Sequence, residues 1–150
     1  MRRATILGLG LGCLAATGAL AATAGDVIKS RQANYKQIGK ANKAIMDELK
    51  QPAPSVAVIQ ANAKTLDGLV KRIPNWFPAG TGPEAGVKTA ALPAIWQQGA
   101  EFKKDARNMW GAANALDVAA RSGDLARIRA AVPTVGASCK ACHQTFRAKD

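Results

Sequence analysis

Histidine is the scarcest chemistry-bearing residue in this chain, with one copy in 150 residues, and cysteine follows with three. A structural zinc site normally takes four such ligands; Cys13 falls in the leader described below, so Cys139, Cys142 and His143 leave the mature chain one short. Aromatic residues are only 5% of the chain, and alanine dominates the apolar set. That composition points away from a β-sandwich and toward closely packed helices. Acidic residues are also few, ten against twenty-one basic, giving a net charge of +11. Such a charge suits acidic partners and says nothing about fold. No run of like charges or basic–aromatic interleaving suggests a nucleic-acid groove. The length fits one domain and excludes a multidomain enzyme. An apolar content of 48% excludes disorder and a collagen-like chain.

The long apolar run that does occur lies at the start. Arg2 and Arg3 precede an apolar, glycine-rich stretch from Ile6 to Leu20, followed by small residues. A permanent membrane span needs about 20 predominantly apolar residues, and this run is shorter. It reads as a cleaved signal peptide over residues 1–21, with Ala24 the alternative end, leaving residues 22–150 as the mature domain. Arg2-Arg3 lacks the flanking residues of a twin-arginine signal. Gly10 stands where a lipidation site at Cys13 would want a larger aliphatic residue. Removal of the leader takes Arg2, Arg3 and Cys13 with it. Nineteen basic and ten acidic side chains then remain, with Cys139, Cys142 and His143. No later segment is apolar enough to span a bilayer, so the expected location is the periplasm, with no membrane association after cleavage.

The remainder carries helical periodicity throughout. Ile28, Tyr35, Ile38, Ile45 and Leu49 mark one face of a helix from Asp26, as its cap, to about Lys50, stopped by Pro52 and Pro54. A second helix starts at Ser55 as N-cap and ends near Ile73. The stretch from Pro74 through Pro83 breaks regular structure, and the connection to Leu92 is the longest in the chain. A third helix is expected from Pro93 to about Arg121. A fourth, capped by Asp124, carries Leu125, Ile128, Val132, Val135, Cys139, Cys142 and Phe146 on one face, with a kink or split at Pro133. Strand signals are absent. The expected fold is all-α, an antiparallel up-down-up-down four-helix bundle.

Within the last helix lies Cys139-Lys140-Ala141-Cys142-His143, the C-x-x-C-H attachment signature of c-type haem. Positions i and i+3 share a helical face, so both thiols can reach the two vinyl groups on one porphyrin edge. The adjacent imidazole is then held beneath the iron as proximal ligand. Other uses of these residues are a thioredoxin-like motif, which wants an α/β pattern; reversible binding of a soft metal; and a plain disulfide, which leaves His143 without a role. A haem-free helical adaptor is the competing class outside haem chemistry.

The chain as a whole resembles the cytochrome c′ family, the class II c-type cytochromes. The resemblance rests on the C-terminal motif with Arg147 after it, on Arg31-Gln32-x-x-Tyr35 in the first helix, and on Phe77-Pro78-x-Gly80-Thr81 in the long loop. It implies a four-helix bundle, commonly a homodimer, with one haem c per chain in the core. The haem would be attached through Cys139 and Cys142 and ligated by His143. It further implies that Arg31 meets a haem propionate with Gln32 near it, that Tyr35 lies over the distal face, that Thr89 is a further propionate contact, and that Arg147 sits beside the proximal ligand. Taken without the resemblance, an Arg on a helix is most often solvated. A Tyr at a core position most often packs with its hydroxyl at the rim.

Low-spin relatives in the family place a Met where Tyr35 stands. A neutral phenol is a poor iron ligand, and Met46 lies eleven residues further on, about 16 Å along the helix. The expectation is therefore a five-coordinate, high-spin haem that transfers one electron, binds NO or CO, and works with an acidic redox partner. The alternative is a six-coordinate, low-spin carrier. An enzyme is not expected, because a peroxidase wants a distal acid–base group and His143 is already committed.

Overall fold

A computed structural model describes residues 22–149; the expected leader over residues 1–21 lies outside them, whereas the alternative cleavage residue Ala24 lies within. Four long helices account for most of the chain: α1 (Ala24–Glu48), α2 (Val56–Val70), α4 (Gly99–Ser122) and α5 (Leu125–Phe146), with a short α3 (Ala94–Gln97) ahead of α4. Among the described residues no helix is long and apolar enough to cross a membrane.

The ends of these helices follow from local chemistry. At α1 the cap is Thr23 rather than Asp26. The Thr23 hydroxyl accepts from the Asp26 backbone N–H, and the Asp26 carboxylate accepts from the Thr23 N–H, each at 3.2 Å. That is a reciprocal capping box, with the acid at the third helical position. Ser55 and Asp124 cap α2 and α5 as their sequences suggest. Asp124 Oδ1 accepts from Ala126 N at 2.8 Å and Arg127 N at 3.2 Å. Gly123 closes α4 at φ +72°, a left-handed position that favours glycine.

Two further expectations need correction. The second helix stops at Val70, and Ile73–Trp76 forms a separate 3₁₀ turn beginning at Pro74's neighbour Ile73. The third helix is interrupted at Gln98 (φ −116°, ψ 46°). The break lies between Trp96 and Gly99. The Trp96 indole N–H donates to the carbonyls of Phe77 and Pro78 at 3.1 and 3.2 Å, which ties α3 to the long loop rather than to the axis of α4. No split occurs at Pro133: α5 runs unbroken from Leu125 to Phe146. Pro133 is exposed, so the carbonyl of Arg129, which loses its usual N–H donor, can turn to water.

Backbone packing is close for three of the four long-helix neighbour pairs, α1–α2, α2–α4 and α4–α5. The fourth, α1–α5, approaches only marginally. The end of α5 is tied instead to the long loop by a strap unseen in the sequence: Leu92 N donates to Phe146 O at 3.1 Å, and Ala148 N donates to Ala90 O at 2.8 Å around an antiparallel bridge of Ala91 with Arg147. A bundle with one seam held open is the feature that positions the site.

Candidate haem site

The open seam is a cavity of about 500 Å³, within the range of small-molecule sites. Its wall is mostly apolar, and all eight residues singled out from the sequence line it: Arg31, Gln32 and Tyr35 from α1, Thr89 from the loop, and Cys139, Cys142, His143 and Arg147 from the C-terminal end of α5 and just beyond.

On the α5 side, Cys139 and Cys142 are half-buried free thiols. Burial raises both, and Cys142 reaches about 11, with Asp105 and Cys139 adding to the effect. They are held as neutral thiols rather than thiolates. His143 follows on the next position, exposed at the mouth. Partial burial, and then the positive charge of Arg147, lower its pKa, which keeps the imidazole neutral and its ring nitrogen free to act as a ligand. Among the described residues, no three His, Cys, Asp or Glu side chains converge as a metal-holding cluster.

The α1 side is built around a buried cation. Arg31 is only 3% exposed, yet no carboxylate comes within ion-pair distance of it among the described residues. Its Nη1 donates to Thr81 Oγ1 and its Nη2 to Thr89 Oγ1, both at 3.0 Å. Its guanidinium lies 4.6 Å from the centroid of the Phe77 ring. Burial lowers its pKa, while Tyr35 and Glu84 oppose that shift. A buried charge without a counter-ion is expensive, so this end of the cavity is built to receive an anion. Thr89 fits the same purpose. Its oxygen accepts from Arg31 and from Ala91 N at 3.2 Å, leaving its O–H as a donor on the cavity wall. Gln32 is engaged by the loop, donating to Lys88 O at 2.9 Å.

Six of the seven aromatic residues gather here. Tyr35 meets Trp76 edge-on at 5.4 Å, Phe77 meets Phe102 at 5.0 Å, and Phe102 meets Phe146 at 5.3 Å. Burial pushes the Tyr35 hydroxyl far above its ordinary value. Met46 is 41% exposed and absent from the cavity wall, as its helical distance from Tyr35 requires. Met109, from α4, does line the cavity.

Two contributors escaped sequence reasoning. Thr81 is buried and grips Arg31 from fifty positions away; it stands in the loop motif, but nothing local marks its partner. The Ala90–Ala91 strap was hidden for the same reason, since its partners follow the last helix.

The donor set and the cavity suit a covalent haem: two thiols and an imidazole at i, i+3 and i+4 on one wall, an apolar interior, and an unpaired guanidinium where carboxylates would lie. A family model described as cytochrome c′ matches residues 26–147. The chain belongs to the cytochrome c′ family. It is 38% identical over 150 residues to cytochrome c′ of Rhodopseudomonas palustris, covering 99% of this chain and 97% of that one. It is 39% identical over 139 residues to cytochrome c-556 of Agrobacterium fabrum, covering 92% and 90%. The nitric oxide complex of a mutant cytochrome c prime from Alcaligenes xylosoxidans superposes with a TM-score of 0.76 at 34% identity, covering 85% of this chain and 98% of that one. The chain is thus a four-helix-bundle haem protein of the cytochrome c′ type.

Proposed function

We propose that this is an exported, periplasmic cytochrome c′ with one haem c joined to Cys139 and Cys142. In this reading it exchanges single electrons with an acidic redox partner and takes up small gases such as NO and CO at an iron ligated on one face by His143. The observation that carries the reading is the asymmetry of the cavity. One wall presents two thiols and a neutral imidazole. The wall facing it across the seam presents Tyr35, whose phenol burial holds un-ionised.

The haem supplies a one-electron couple and a coordination position. The chain's own residues supply the rest. Cys139 and Cys142 fix the ring to α5, which holds the geometry constant between redox states. His143 provides the proximal nitrogen, and Arg147 disfavours a second positive charge beside it. Arg31 and Thr89 receive the propionates. Tyr35, braced by Trp76, crowds the distal face so that only a small ligand enters. The single histidine is taken up as a ligand, and peroxidase-type catalysis wants a distal acid–base group; in this reading the function is carriage and binding rather than turnover. Exchange with an acidic partner follows from the net charge, and a homodimer is the expected assembly.

A six-coordinate, low-spin electron carrier is the second reading, and Met109 favours it, being a thioether on the cavity wall. Absorption and electron paramagnetic resonance spectra of the ferric and ferrous protein, with and without CO, decide between the two. High-spin ferric signals and ready CO binding are expected. A low-spin His/Met spectrum overturns the gas-binding half, and a colourless protein with the mass of the bare mature polypeptide overturns both.

A further inference from the structure

The loop motif contains a residue to which the reading above gives no role. Thr81 follows Gly80, whose φ of +75° is open to glycine at little cost and turns the chain inward. Thr81 is 3% exposed, and both ends of its hydroxyl are used: its oxygen accepts from Arg31 Nη1 at 3.0 Å, and its proton is donated to Pro78 O at 2.8 Å. The guanidinium has five N–H donors. Thr81 and Thr89 take one each, on different nitrogens, so the plane of the group is fixed by two points. The Phe77 ring packs against the same guanidinium. With no carboxylate within ion-pair distance among the described residues, the orientation of Arg31 depends on these loop contacts, and the guanidinium so held belongs to a residue on the cavity wall.

We propose that Thr81 is a positioning residue that sets the haem reduction potential through Arg31. The inference rests on the haem reading above and extends it. A guanidinium held at the propionates lessens the negative charge beside the iron and adds positive charge there, both of which favour the ferrous state. Replacing Thr81 by Val keeps the shape but leaves Arg31 Nη1 without its partner, while Pro78 O keeps the Trp96 indole N–H. Arg31 can then rotate away from the propionates, and the ferrous state loses that support.

The test is spectroelectrochemical titration of holoprotein variants. Thr81→Val is expected to lower the equilibrium constant for reduction about tenfold, a fall of about 59 mV for a one-electron couple. Thr81→Ser keeps the hydroxyl and is expected to hold the wild-type potential. Thr65→Val removes a comparable hydroxyl, bonded to Ala61 O at 2.9 Å on an exposed face of α2, and is expected to change nothing. In an Arg31→Lys background, Thr81→Val is expected to have no further effect, because the two act as one unit. Equal potentials in haem-bearing wild type and Thr81→Val, or an undiminished Thr81→Val effect in the Arg31→Lys background, overturn the inference while leaving the haem reading intact. A wild-type protein without haem overturns the reading itself. Wild-type NMR needs no variant: separate, slowly exchanging Arg31 Nη–H signals with cross-peaks to the Thr81 methyl are expected, and a single averaged signal also overturns the inference.

Discussion

The two ends of this bundle solve opposite problems with the same four helices. At the closed end, Ile45, Ile59, Ala63, Leu66, Leu116, Ala120 and Ile128 are each fully buried, and helix pairs approach closely because alanine alternates with branched aliphatic residues. At the open end, six aromatics replace that alternation, and α1 and α5 stand apart around the cavity. The acids differ too. Asp47, Asp117 and Asp124 of the closed end are engaged with Lys43 and Lys50, with Arg121, and with the N-terminus of α5. The open end instead buries a guanidinium without a carboxylate. Asn42 Oδ1, the buried side-chain polar atom that lacks a partner among the described residues, belongs to a residue on the cavity wall. One end is complete on its own; the other is finished by something outside the polypeptide.

The strongest way to break that contrast is to stop the open end from being completed. Cys139→Ser with Cys142→Ser is expected to abolish covalent haem entirely, read as loss of the adduct mass and of absorbance that survives denaturation. Near-ultraviolet circular dichroism should fall, because the aromatics report the open end, whereas the closed end should retain most of the far-ultraviolet signal. Next in size is Tyr35→Met in the holoprotein. A thioether in place of a neutral phenol is expected to convert the ferric spectrum from high-spin to low-spin and to weaken CO binding sharply. An unchanged spectrum would mean that Tyr35 does not face the iron.

Packing changes sharpen the comparison at a finer scale. Leu116→Ala at the closed end leaves a hole that rigid neighbours cannot fill and is expected to cost about 2–5 kcal/mol. Met109→Ala merely enlarges a cavity already present in the polypeptide. In the haem-free Cys139→Ser/Cys142→Ser background it is therefore expected to cost less than Leu116→Ala in that background. Denaturant midpoints at constant slope measure both, and equal losses would refute the distinction between the ends.

The same contrast explains what was legible in the sequence. The aliphatic stripes, the caps at Ser55 and Asp124, and the five-residue thiol–imidazole motif are contiguous or one helical turn apart, so their meaning is local. Arg31, Tyr35 and Thr89 could be nominated only through family resemblance, since nothing near Arg31 in the chain shows that it is buried without an acid. The missed features are non-local: Thr81 lies fifty positions from Arg31, the strap joins residues 90–92 to residues 146–148, and the break at Gln98 answers to Trp96 reaching back to Phe77 and Pro78. Pro133 does not split α5 for a different reason, because a solvent-facing helical proline forfeits one hydrogen bond that water can replace.

The smallest expected effect lies at the start of α1, where the open end is anchored. Thr23→Ala removes the side chain that closes the capping box and is expected to cost about 1 kcal/mol. Its pH dependence identifies the mechanism. The Thr23 hydroxyl, the Thr23 backbone N–H and, to a lesser degree, Lys29 hold Asp26 below its ordinary 3.8. The folded state therefore binds the proton less readily than the unfolded chain, and the stabilisation from this pair is present in full above that ordinary value. It is lost as pH falls through the lower folded value. The difference between wild type and Thr23→Ala should accordingly shrink on acidification, and a constant difference would leave the hydroxyl's bond to the Asp26 N–H as the whole effect. The cap also bears on processing. A leader ending at Ala21 leaves Thr23 in place, whereas one ending at Ala24 removes it and starts the chain inside the first turn. Intact mass of the exported protein is expected to place its first residue at Ala22, and a first residue at Gly25 would show that α1 begins without its cap.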